Sequence, residues 1–256
     1  MKNKLVTLLA AAIGLTAIGL ASPGLKARQT VQTEVLDTIK QDVSSSTLSY
    51  DIVESLTTEV GARMVGTPGA DAATDWAVAK MKALGFDKVW VEESQAQLWQ
   101  RGDLTASITS PYPHKVVAIA LGGSVGTNGQ TINAEVAFFD DLTALQAAPQ
   151  GSLKGKIAYV GYRMERHIDG HGYGKAVGAR VAGASAAAKK GALAFIMRSV
   201  GTDTDRIGHT GMMRYEEGVA KIPAVALSNP DADLLENMLR RGQPVTFSLN
   251  TSASGP

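Results

Sequence analysis

Along the first third of the chain, apolar residues recur at the three- and four-residue steps of a helix; along the rest they fall in short β-branched runs cut by glycine. Val31, Val35, Leu36, Ile39 and Val43 share one face and predict an amphipathic helix opening the stretch 28–60. Leu48, Ile52, Leu56 and Val60, spaced by four, predict a second helix that stops at Gly61. A loop punctuated by Gly61, Gly66, Pro68 and Gly69 follows, then a helix with Asp71 as its cap and Ala73, Trp76, Ala77, Met81 and Leu84 as its apolar stripe. Gly85 supplies the left-handed stop. A strand over 88–92 is expected to pair as a hairpin with 104–109. Beyond His114 the pattern predicts strands over 115–121, 132–139, 156–162, 192–198, 222–227 and 244–250. Two helices interrupt them. One, over 174–190, is alanine-rich and suited to close packing; the other has Asn229 as cap and Pro230 in first position, and ends at Gly242.

The N-terminus departs from this pattern. Lys2 and Lys4 precede an apolar run over 5–20, and small residues at 19–21 have the spacing of a signal-peptidase site, so 1–21 reads as a secretory signal. The alternative is an uncleaved anchor, because the run approaches the roughly 20 residues that span a bilayer. The Ser22-Pro23-Gly24 break favours cleavage, leaving a periplasmic or secreted protein with no stable membrane anchor. With 256 residues, 45% of them apolar, and a net charge of +1, the remainder is globular, of one or two domains. No basic stripe or aromatic platform speaks for a nucleic-acid partner. The absence of cysteine excludes disulfides, thiol nucleophiles and cysteine-ligated metals.

Two segments carry a family resemblance. The stretch 191–228, GALAFIMRSVGTDTDRIGHTGMMRYEEGVAKIPAVALS, resembles the protease-associated domain inserted into secreted zinc exopeptidases of the carboxypeptidase Q type. The earlier stretch 61–93, GARMVGTPGADAATDWAVAKMKALGFDKVWVEE, resembles the opening of the catalytic domain in co-catalytic zinc aminopeptidases and the same exopeptidases. The implied fold class is α/β, a partial zinc-exopeptidase domain (N-terminal helices and hairpin) carrying a β-rich insert. The implied division is a signal at 1–21, an N-terminal peptidase segment at 22–112, the protease-associated domain at 113–250 and the start of a return linker at 251–256. For an intact family member the resemblance implies hydrolysis of peptides or dipeptides, with two zinc ions activating a water and stabilising the oxyanion. It leaves homo-oligomerisation open. The chain reaches Pro256 before the family's ligands, so the expectation is a truncated polypeptide with no catalytic or metal residue of its own, inactive as written. The alternative is a secreted module that binds peptide or protein without catalysis.

Few residues offer chemistry. His167 and His171 flank Asp169, and two imidazoles four apart meet a zinc ion when helical. Gly170, Gly172 and Gly174 argue instead for a polar loop. Within RIGHTGMMRY, His209 and Thr210, together with Arg198 at the end of the preceding strand, are candidates for a substrate cleft, because a guanidinium fork suits a substrate carboxylate. The opposing expectation is an internal ion pair for Arg198 and a fixed turn for the loop. The glycine runs LGGSVGTNG and GHGYGKAVGARVAG lack the spacing of phosphate loops, Asp140-Asp141 reads as a helix cap, and no serine-hydrolase elbow occurs.

Overall fold

A computed structural model describes the backbone of residues 23–255, with side chains from residue 33 onward. The signal reading of 1–21 lies outside the described residues. Two compact units divide between Glu92 and Glu93.

The first unit is helical. Helix α1 spans Pro23–Ser45, and α2, Leu48–Ser55, continues into a π-helical turn, Leu56–Val60. That turn ends at Gly61, whose positive φ of 74° and N–H bond back to the Leu56 carbonyl close it. Helix α3, Pro68–Ala83, begins one turn before the predicted cap: Thr67 holds the cap position, Pro68 presets the helical φ, and Asp71 falls in the first turn, where it complements the helix dipole. Only a glycine fits at 69, since a Cβ there would stand 2.0 Å from the Ala62 carbonyl oxygen. The predicted stop is realised in full. Gly85 donates to the Lys82 carbonyl and Phe86 to that of Met81, a double closure of the last turn around a φ of +83°. Trp76 of α3 donates to the Ser55 hydroxyl at 2.9 Å, joining α3 to α2. The strand expected over 88–92 does not form, because the segment meant to pair with it is hydrogen-bonded elsewhere.

The second unit is an eight-stranded mixed sheet. Its strands are β1 Leu104–Ser110, β2 His114–Lys115, β3 Ala118–Ala120, β4 Ile132–Phe139, β5 Ile157–Val160, β6 Ala194–Arg198, β7 Ala224–Leu227 and β8 Thr246–Thr251. The spatial order is β2-β1-β8-β4-β5-β6-β7-β3, with β4 to β7 parallel and the remaining pairs antiparallel. The expected single strand over 115–121 is therefore two strands at opposite rims. Between them Val116 donates to the Ala106 carbonyl and Val117 to the Asp231 carboxylate, so two residues cross from one rim to the other and the sheet curls.

Strict alternation sorts the central strands. Ala158, Val160, Phe195, Met197, Ala224 and Ala226 face α5, Gly172–Lys189, whose Ala176, Ala179 and Ala187 complete that core. Gly183 is where α5 comes nearest: a Cβ there would lie 2.1 Å from the Phe195 ring. Ile157, Tyr159, Ile196, Val225 and Leu227 face the other way, onto Leu235 of α6, Asn229–Leu239, and onto Phe247 of β8. Helix α4, Leu142–Ala147, is capped by Asp141, which accepts from the Ala144 N–H, as expected for the acidic pair. The cap of α6 is Ser228 and not Asn229: the Ser228 hydroxyl accepts from the Asp231 N–H, while the Asn229 amide turns aside to the Asp203 carbonyl.

Candidate functional site

The carboxyl ends of β5, β6 and β7 open into the loops 161–171 and 199–223 and the start of α6, and the candidate residues gather at this rim. Parity decides the fate of Arg198. It follows Ala194 and Ile196 on the face covered by α6, and its side chain is 1% exposed. The guanidinium donates to Glu236 Oε1 through Nε at 3.2 Å and Nη2 at 2.8 Å, to Asp233 Oδ1 at 2.6 Å and to the Asn229 carbonyl at 3.3 Å. Tyr159, on the same face one strand away, donates its hydroxyl to Glu236 Oε1 at 2.8 Å. Burial and the neighbouring Glu236 carboxylate push the Tyr159 hydroxyl well above its ordinary pKa. Burial alone would raise the Asp233 carboxyl, but hydrogen bonds from Arg163 and Arg198 outweigh it and hold the pKa low.

His209 and Thr210 lie on the 199–223 loop, which is tied down along its length. The His209 N–H donates to the Ser199 hydroxyl at 2.7 Å, while its ring is 58% exposed and 3.6 Å from Asp203. Thr210 donates to the Ala120 carbonyl at 3.0 Å and accepts from Arg101 at 3.0 Å, and Arg101 also bonds the Ala120 carbonyl. Just beyond β3, Gly122 donates its N–H to the Gly211 carbonyl and accepts from the Met213 N–H. Arg206 grips the Asp231 carboxylate with three contacts of 2.9–3.1 Å. Burial favours the neutral form of Asp231, but Arg206, the Ser228 hydroxyl and the Val117 N–H outweigh it, and its pKa is lowered. Thus His209 is presented outward and Thr210 anchors the loop to β3. Arg198 points into the α6 layer, where a substrate carboxylate would have to displace Asp233 or Glu236.

Sequence reasoning did not single out Tyr159, Asp231, Asp233 or Glu236. The signal was available in the matching parity of Tyr159 and Arg198 and in the three-residue step from Asp233 to Glu236 on one helix face.

The histidine pair sits in a turn before α5, with ring centroids 3.6 Å apart. His171 Nδ1 lies 2.6 Å from Asp169 and His167 Nε2 3.4 Å from Glu165. Hydrogen bonds from the His171 backbone and ring lower the Asp169 pKa. Among the described residues no three His, Asp or Glu side chains come together as a metal site, so the donor set does not fit a zinc ion. No described helix is long and apolar enough to cross a membrane.

No protein-family model matches the chain. Carboxypeptidase Q of Mus musculus is 32% identical over 208 residues, which are 80% of this chain and 42% of that protein. A crystal structure of a peptidase M28 precursor from Shewanella amazonensis SB2B superposes with a TM-score of 0.85 at 50% identity, covering 89% of this chain and 51% of that one. An aminopeptidase from Aneurinibacillus sp. strain AM-1 shares the fold, with a TM-score of 0.50 at 20% identity over 81% of this chain and 44% of its own. The chain thus spans less than half the length of its curated relative and about half that of the solved peptidase. Over that span it is a relative of the carboxypeptidase Q and M28 peptidase proteins.

Proposed function

We propose that these residues serve a peptide-hydrolysing zinc exopeptidase as its accessory region. In this reading 22–112 open the peptidase domain, 113–250 form the protease-associated domain with β1 completing its sheet, and 251–256 begin the return. The 50% identity to the M28 peptidase precursor over 89% of the chain carries the proposal. His209 faces the peptide, Thr210 holds its loop against β3, and Arg198 braces the rim from which the loop departs by locking β6 to α6. A secretory signal at 1–21 delivers the protein outside the cytoplasm. In this reading 22–256 alone does not hydrolyse peptide.

Two measurements test this. Purified 22–256, supplied with zinc and a dipeptide, is expected to release no amino acid; metal-dependent release would overturn the inactivity. Calorimetric titration with short peptides is expected to show binding weakened severalfold in His209→Ala, and unchanged affinity would remove the loop from substrate contact. A second reading, a peptide-binding module without catalysis, draws on the presence of both buried cores within 93–255. Tight binding of intact peptide by the isolated chain would favour it.

A further inference from the structure

Away from this rim, a concavity of about 340 Å³ opens between the turn after β1 and the outer face of α6. Leu234 and Met238, half-buried on the core beneath, form its floor, and Pro111 and Tyr112 form a wall. Its polar lining comes from Asn237, Arg241 and Gln243. Leu234 and Met238 are one helical turn apart on α6, and Arg241 follows in the turn that closes the helix, its N–H on the Met238 carbonyl. Arg240 faces a carboxylate, Asp140, whereas its neighbour Arg241 has none within ion-pairing distance among the described residues. Arg240, against Asp140 and the Phe138 ring, already places a cation at the end of α6, so Arg241 is not needed there.

We propose that this concavity binds an α-carboxylate borne next to an apolar side chain. The guanidinium fork engages the two carboxylate oxygens, the amides complete their hydrogen bonds, and the side chain lies on Leu234 and Met238 against Tyr112. The volume is at the lower end of small-molecule sites, roughly 300–1,000 Å³, and suits one terminal residue better than a chain passing through. A free apolar amino acid and the C-terminus of a peptide present the same chemistry.

The test is a titration of the purified chain, followed by amide NMR shifts of Ser110, Tyr112 and α6. Three probes are compared: leucine, N-acetyl-Ala-Ala-Leu and the uncharged N-acetyl-leucinamide. Saturable shifts with either carboxylate, at least tenfold weaker with the amide, are expected. A response to the first probe alone assigns a free amino acid, and a response to the second alone assigns a peptide end. Arg241→Gln is expected to weaken binding at least tenfold with the spectrum otherwise retained, and Arg241→Lys to restore part of it. No saturable shift, equal binding of the amide, or full affinity in Arg241→Gln would overturn the proposal.

Discussion

Replacing Glu236 by alanine would strand the Arg198 guanidinium, 1% exposed, with only Asp233 and one carbonyl for company. Breaking one partner of a buried pair costs about 3–5 kcal/mol. Urea unfolding of Glu236→Ala should show a loss of that order, and a loss below about 1 kcal/mol would mean that Asp233 alone suffices. The aspartates on the same helix set an acid limit. Asp231 and Asp233 have pKa values lowered on folding, so they stabilise the protein fully above the ordinary carboxylate range. That contribution is lost as pH falls through their folded values. Asp231→Asn should therefore lower stability at neutral pH and flatten its decline in acid, measured by thermal unfolding across pH 2–7; an unchanged acid limb would refute the assignment. Arg198 was legible as a residue that needs an acid, but not which one: its partners lie 35 and 38 positions away, on an element whose docking follows from sheet order and not from local pattern.

At the scale of elements, α5 depends on small side chains. An alanine at 183 would press on the Phe195 ring, and overpacking of this kind costs about 1–3 kcal/mol even though alanine is the better helix former. Gly183→Ala should melt earlier than the parent protein in calorimetry; a higher melting temperature would show that the ring has room to yield. Helices with strong punctuation were readable almost to the residue, as Gly85 shows by closing α3 with the geometry its position predicts. The run 88–92 was not. Its β-branched and aromatic composition is that of a strand, but a strand exists only with a partner, and Leu104–Ser110 pairs with β8 and β2. Conversely, 115–121 has the composition of one strand and makes two, because its ends are claimed by β1 and β7.

Across the whole molecule, stability is unevenly shared. Every buried hydrophobic residue among those described lies between Ile108 and Ala253. Val35, Leu36, Ile39 and Val43, the stripe that predicted α1, are at least half exposed. Regions with few buried apolar contacts open at low free energy. Limited proteolysis should therefore cut within 23–92 first and leave a resistant fragment beginning between 93 and 104. Survival of α1–α3 at protease levels that nick the sheet would contradict this.

The two-residue crossing at Val116 and Val117 carries one more consequence. Exposed strand edges are templates on which other chains pair, and most sheets blunt them with charges or cover them. Here the rims are drawn toward each other by a stitch in the backbone itself, held by the Val117 N–H on Asp231 and the Val117 carbonyl on Ser228. Unpicking it, for instance with proline at 117, would turn a self-sealing sheet into an adhesive one, whose first symptom would be concentration-dependent association and not unfolding.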